Sequence, residues 1–451
     1  MSFRVEIAQT GRTREGFAPI NLLRDDGTRL CQLDIQYSKL ATLPRPNPRA
    51  ADFLLLAAAV YSLDKLVLRK DAEDCWTRTY SLVLPVSDIG AWHAVKGELD
   101  NCLSFLTGDL WDVNFEALTS SLVRPIYRRR RSRSSTFQRP TGDTVCLFSG
   151  GLDSLIGAID WLQSNNGQRL LLVGHHDAQM AGPHSDQKQL LERMVPEYPG
   201  RIRSTFVRIG HSNEAVDETE ITLRGRSLIF IALGVFAASA LGTNIPLLIP
   251  ENGTIALNVP LSPSRRGSCS TRTAHPFYLG KLSSVLADLG LTNAILNPLE
   301  AKTKGEAVAQ CLNQQLLRAT APLSVSCAKR GHKRHWTHRN AKACGRCMPC
   351  IYRRAALHTI NLDNELYGDD ICVGEVDIFE NAEKANDLRA CLAFLKRNVS
   401  ISEMSTLLMA NGSLDAVRLP SYAAMVQRTM DEIRVLLREK ATPDIIRMAR
   451  L

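Results

Sequence analysis

Val145-Cys146-Leu147-Phe148-Ser149-Gly150-Gly151-Leu152-Asp153-Ser154 is the stretch on which the fold turns. Four apolar residues make a short buried strand, two glycines make a turn, and the chain from Asp153 to Ser164 has the periodicity of a helix. Glycines at such a turn let the backbone present several N–H groups to an anion, and the helix adds its positive end. Ser149 and Ser154 carry hydroxyls that can donate to phosphate oxygens. Asp153 can hold Mg²⁺ or orient the loop. No Lys-Ser/Thr pair follows, so this is not a Walker-type loop. The competing reading is a strand-to-helix turn with polar caps.

Downstream, strands expected at 145–148, 170–173, 204–209, 245–249 and 294–296 alternate with helices at 153–164, 185–195, 226–241, 277–289 and 304–318. Short apolar strands alternating with helices predict an α/β fold with a doubly wound parallel sheet, whose ligands bind beyond the carboxyl ends of the strands. Residues 1–123 read as an α+β unit, with strands at 3–7, 31–37 and 76–86 and helices at 51–69 and 89–106. In the third strand Trp76, Tyr80, Leu82, Leu84 and Val86 share a face. Residues 124–140 form an Arg-rich linker, 141–325 the α/β unit, 326–358 a cysteine-rich module and 359–451 a helical region. That last region holds helices at 380–397, 402–410 and 421–440. In the third of these, Val426, Met430, Ile433 and Leu437 form an apolar stripe that suits core or a docking surface.

At 451 residues, 45% hydrophobic and 22% charged, the composition is that of a globular protein. The N-terminus lacks an apolar signal region, and the longest apolar stretch, Ser227 to Gly242, is short for a bilayer span. The expectation is a cytoplasmic protein with no membrane partner. Residues 124–139 hold seven arginines and residues 328–354 nine lysines and arginines, neither with an acid. Against a net charge of +9, the remainder is net −7, so basicity is local. The first segment suits a solvated tether or a phosphate contact, and both segments are candidate nucleic-acid surfaces.

Cys344-x₂-Cys347-x₂-Cys350 together with Cys327 supplies four soft ligands, the set for a closed, structural Zn²⁺ site. His332, His335 and His338 are rival ligands, and an iron–sulfur cluster is the other metal reading. Four thiolates around Zn²⁺ carry two net negative charges, which the nine neighbouring cations offset. Of the other eight cysteines, seven suit buried small side chains; Cys269, in a polar segment, is a candidate nucleophile without an identifiable base.

The Ser149–Ser154 loop resembles the PP-loop of the ATP pyrophosphatases, which grips the phosphates leaving as pyrophosphate. The same loop with this cysteine cluster behind it resembles the QueC family, the 7-cyano-7-deazaguanine synthases. Two further segments match. Leu223-Arg-Gly-Arg226-Ser227 resembles the family's Pro-Gly-Arg-Asn segment, and Pro298-Leu-Glu-Ala-Lys-Thr303-Lys304-Gly-Glu306 its Asp-Lys-x-Glu segment. The resemblance covers residues 143 to 358. It implies a HUP-type fold and ATP with Mg²⁺ as cofactors. Ser149, Gly150, Gly151, Asp153, Ser154 and Arg226 would bind the nucleotide, with Asp153, Arg226 and Lys304 in catalysis. It implies adenylation of a deazapurine-like carboxylate, then attack by ammonia or another amine. Independently of family, Arg226 also suits a surface ion pair. Thr303 and Glu306 make a capping box, and Lys304 at a helix start calls for a phosphate partner.

Where the family carries an acidic and aromatic substrate segment, this chain reads Glu251-Asn252-Gly253 and then Ser262 to His275, with Ser264, Arg265, Arg266, Ser268, Ser270, Thr271 and Arg272. Those residues suit an anion or a polar surface loop. The added terminal regions resemble those of long members in bacterial anti-phage operons, the Qat type. That likeness implies an operon-encoded protein partner, whose amine would replace ammonia as acceptor. Two other functions are carried forward: a PP-loop enzyme modifying tRNA, and a degenerate ATP-binding scaffold of a defence complex.

Overall fold

A computed structural model describes residues 1–9, 11, 17–44, 46–119, 140–177, 182–212, 218–220, 222–262, 272–379 and 382–451. The arginines of 124–139 lie outside the described residues, as do Ser264 through Thr271 with Cys269.

Ten strands form one sheet: β1 (Ser2–Ile7), β2 (Ile20–Arg24), β3 (Arg29–Ile35), β4 (Thr79–Val86), β5 (Leu110–Ala117), β6 (Thr144–Leu147), β7 (Leu170–His176), β8 (Ile202–His211), β9 (Leu247–Leu248) and β10 (Ile295–Leu296). Their order is β10-β9-β6-β7-β8-β3-β2-β1-β4-β5. Six of the nine neighbouring pairs are parallel. The antiparallel pair of β3 with β8, Leu33 opposite His211, joins the strands of residues 1–117 to those beyond 144. The helices are α1 (Tyr37–Leu40), α2 (Pro48–Leu66), α3 (Ile89–Thr107), α4 (Leu152–Ser164), α5 (Pro183–Glu197), α6 (Arg224–Leu241), α7 (Gly253–Leu257), α8 (Pro276–Asp288), α9 (Lys304–Ala309), α10 (Gln314–Thr320), α11 (Met348–His358), α12 (Ala382–Arg397), α13 (Ile401–Met409), α14 (Leu419–Lys440) and α15 (Pro443–Ala449).

Strand alternation sorts the core. Val145 and Leu147 face one core with residues of α2, α3, α6 and α8. Cys146 and Phe148 face another with residues of α4, α5, α10 and α11. The β6–β9 half of the sheet is therefore covered on both faces, which explains its unbroken apolar runs. The stripe Val426, Met430, Ile433 and Leu437 lies in a third core, shared by α11 to α15. Helix α6 is long and apolar enough to cross a membrane, and 83% of that window is buried inside the fold.

The structure departs from the expected elements in several places. The helix expected over 304–318 breaks into α9 and α10. Asn313 caps the second piece by accepting from the Leu316 N–H, and the Leu312 N–H turns out to Asp160. Strands β2 and β5 and helices α1, α7, α11 and α15 lie outside the expected elements. Trp76 precedes β4 and is exposed, with Arg69 stacked over its ring. Cys75 is exposed, whereas Cys31, Cys102, Cys146, Cys311, Cys372 and Cys391 are buried.

A buried polar network ties α2 to the start of α6. Asp64 pairs with Arg78 at 2.8 Å and accepts from the Gly225 N–H and the Thr222 hydroxyl, each at 2.9 Å. Arg78 also grips Asp109, which takes a second, two-pronged contact from Arg69. Asp64 is 1% exposed and Arg78 fully buried. Truncating one member strands a buried charge, so Asp64→Ala should cost about 3–5 kcal/mol in urea unfolding at neutral pH. Thr222→Ala, which removes one hydroxyl donor, should cost about 1 kcal/mol.

Candidate functional site

Numbered from β6, the parallel strands run in the order 3-2-1-4-5, with the direction of winding reversing between β6 and β9. A sheet of this kind opens a crevice where it reverses, beyond the carboxyl ends of the two strands. The Ser149–Ser154 turn follows β6 and Pro250-Glu251 follows β9. Between them lies a cavity of about 180 Å³, lined by Ser149, Ser154, Arg226, Phe230, Glu251 and Thr273 among others. Helix α4 approaches so closely that a Cβ on Gly157 would lie 2.4 Å from Pro250, so glycine there lets the two loops meet.

Gly150 has φ +84, a left-handed conformation that favours glycine, and its carbonyl accepts from the Val325 N–H at 2.9 Å. Gly151 caps α4 without a side-chain bond. The Leu152 N–H donates instead to Ser326 Oγ at 3.2 Å, and the Gly151 N–H to Ser149 Oγ at 3.2 Å. Ser149 and Ser154 share a hydroxyl contact at 3.2 Å. The turn is thus braced from behind by Val325 and Ser326, the residues just before Cys327.

Across the cavity stands Arg226 in the first turn of α6, which Asp64 holds in place. Its guanidinium lies over the Phe230 ring at 5.3 Å and its Nε points at His175 Nδ1. Among the described residues no carboxylate lies within ion-pair distance of it, so the surface ion pair considered for Arg226 is not formed there. Ser227 and Thr273 share a hydroxyl bond at 2.5 Å on the same wall. Arg272 and His275 turn away from the cavity: Arg272 donates to the Phe105 carbonyl and stacks on its ring, and His275 is fully buried.

Lys304, 1% exposed, reaches Asp153 Oδ1 at 2.6 Å, and Asn252 donates to Oδ2 at 2.8 Å. The lysine at a helix start is therefore matched by a carboxylate of α4. Glu251 beside them has its carboxyl pushed up to about 7, by burial first and by the Asp153 charge second, with Lys304 opposing. The expected capping box of Thr303 and Glu306 is present. Glu432 of α14 adds to it, accepting from the Thr303 hydroxyl and from the Gly305 N–H. Arg428 pairs with Glu306 at 2.6 Å. Helix α14 thereby holds the turn that delivers Lys304.

Cys327, Cys344, Cys347 and Cys350 converge, with all four sulfurs within 4.8 Å of one another. Cys344 and Cys350 lie 3.8 Å apart, the edge of a sulfur tetrahedron around zinc at about 2.3 Å per bond. The cluster could hold a metal such as zinc, and an iron–sulfur core would need more room between its thiolates. The histidines lie elsewhere: His338 bonds Glu375 and His335 accepts from Arg334. Of the nine neighbouring cations, Arg330 pairs with Asp186, Arg346 with Asp369, Arg353 with Glu365, and Arg354 with Asp363 and Asp370. Lys329, Lys333, Arg334, Arg339 and Lys342 have no acidic partner among the described residues.

Ser326, His175 and Glu432 join the site from outside the residues named in the sequence, and Glu251 and Asn252, which open the segment singled out after the fourth α/β strand, join it without a role having been assigned. Of the first three, Ser326, adjacent to a metal-type cysteine, carried a local signal. No family model, no curated protein and no solved structure matches this chain.

Two measurements follow from the geometry. Purified protein should carry one metal ion per chain, and cobalt loading should give tetrahedral thiolate bands that Cys347→Ser abolishes, with a lowered Tm. Glu432, pushed up to about 7 by burial, is protonated more readily folded than unfolded. Its contribution is full below its unfolded value near pH 4.5 and is lost as pH rises towards 7. Relative to Glu432→Gln, wild-type stability should therefore fall across that window in denaturation at stepped pH.

Proposed function

We propose that this chain is an ATP-dependent enzyme that adenylates a small deazapurine-like carboxylate and passes the acyl group to nitrogen. The carrying observation is the crevice at the β6/β9 reversal, with Ser149 and Ser154 on one wall and, on the other, an arginine that has no carboxylate partner among the described residues. In this reading the turn is a PP-loop on a HUP-type sheet. Ser149, Ser154 and the glycine amides hold the departing phosphates, and Arg226 takes the carboxylate. A carboxylate oxygen attacks the α-phosphorus, and the bond to the bridging oxygen breaks as pyrophosphate leaves. Ammonia or a protein amine then attacks the acyl carbon, loses a proton, and AMP departs. Mg²⁺ would accompany ATP and meet Asp153 and Glu251, whose crowded charges a cation relieves. The metal of the four-cysteine cluster stays structural, bracing the loop through Val325 and Ser326. A role in anti-phage defence, with an operon-encoded partner as acceptor, rests on the Qat-type resemblance.

The five cations of the cysteine module without an acidic partner among the described residues favour a second reading, in which tRNA is the substrate. One assay separates the two: pyrophosphate release from Mg-ATP with 7-carboxy-7-deazaguanine, with tRNA, or with neither. Release and AMP with the acid, reduced at least about a hundredfold in Ser149→Ala and Arg226→Ala, is the expected result. Release with tRNA alone moves the activity to RNA. No release with either substrate, in the presence of ammonia, overturns adenylation.

A further inference from the structure

Arg226 is useful as an anion receptor only if its planar fork is held in one orientation, because a free guanidinium samples many rotamers and loses that freedom on binding. Its surroundings contain no acid bonded to it among the described residues. What faces its Nε is a histidine, His175, at 3.4 Å.

The proton on that ring can be placed from its two contacts. His175 Nε2 lies 2.8 Å from the Ile209 carbonyl oxygen, which can only accept, so Nε2 carries hydrogen. Arg226 Nε can only donate, so Nδ1 must offer its lone pair. Both contacts are satisfied by one species alone, the neutral ring with hydrogen on Nε2. The ring is fully buried and fixed edge-on between Tyr61 and Phe230, at 5.8 and 5.6 Å between centroids. Tyr61, from α2, donates to Asp177 at 2.5 Å and so cannot compete for Nδ1. Phe230 in turn lies beneath the Arg226 guanidinium. Burial, then the nearby Arg226 charge, holds the imidazole down to about 3, consistent with a ring that stays neutral.

We propose that His175 is a positioning residue: locked as the Nε2–H tautomer, it accepts the Arg226 Nε–H and leaves the two terminal nitrogens, which have no hydrogen-bond partner among the described residues, to bind a carboxylate in the cavity. The carboxylate role rests on the adenylation reading above, whereas the tautomer and the Arg226 contact do not.

The test uses the full chain and two readouts. In long-range proton–nitrogen NMR spectra, His175 should show the neutral ring with hydrogen on Nε2, and the Arg226 Nε–H should be protected from exchange. His175→Phe should lose that protection. His175→Gln, whose amide can donate to Ile209 and accept from Arg226, should keep it. In the second readout, wild type should bind 7-carboxy-7-deazaguanine more tightly than its neutral amide. The preference should drop about tenfold in His175→Phe, the loss of one hydrogen bond to a charged group, and recover in His175→Gln. A Nδ1–H ring, or wild-type Arg226 protection in His175→Phe, overturns the proposal. The expected spectra with no preference for acid over amide would leave His175 in its positioning role and reject the carboxylate substrate instead.

Discussion

The pair of Lys304 with Asp153 is the constraint around which the site is assembled. An ammonium and a carboxylate lose several kcal/mol of hydration when taken from water, and only close contact with further hydrogen bonds makes that tolerable. Here the contact is 2.6 Å and Asn252 takes the second carboxylate oxygen. Each partner sits at the start of a helix, Asp153 on α4 and Lys304 on α9. Asp153 belongs where it is, since an acid suits the positive end of a helix. Lys304 does not, and its turn is held by Glu306 of its own capping box and by Glu432 brought from α14. Two parts of the chain that follow different strands of the parallel sheet are joined beside Glu251, which lines the cavity, by this contact.

The opposite wall has a different origin. Arg226 stands where it does because the carboxylate of Asp64 takes the amide of Gly225, and Asp64 belongs to helix α2, in the N-terminal part of the chain. Tyr61, one turn earlier on the same helix, reaches beneath the site to Asp177. The N-terminal segment is therefore part of the crevice's framework, sharing both the sheet and a core with the α/β half.

Local signals were legible and distant ones were not. The strand-glycine-helix stretch at 145–164 and the C-x₂-C-x₂-C spacing each state their geometry within a few residues, and the structure has the turn and the sulfur cluster where they were read. Strand β5 carried a signal too: Trp111, Val113 and Phe115 alternate with polar residues, and Asp26-Gly27 marks the hairpin that makes β2. The pairing of β3 with β8 bridges positions far apart in sequence, and no pattern within either strand names its neighbour. The same holds for the site. Ser149 and Ser154 were visible because a motif holds them; Glu432 and His175 enter through tertiary packing that brings α14 and β7 to the crevice. The break at residues 310–313 shows a polar cap, Asn313, overriding a helical pattern.

The union of β3 with β8 also sets an order of events during synthesis. Leu33 leaves the ribosome long before its partner His211. At ordinary elongation speeds of about 5–20 residues per second, that interval is roughly ten to thirty seconds. Throughout it the nascent chain presents an unpaired strand edge, open to other chains. A chaperone that shields this edge, or slow translation of the segment up to β8, would then govern how much of the chain reaches its native form.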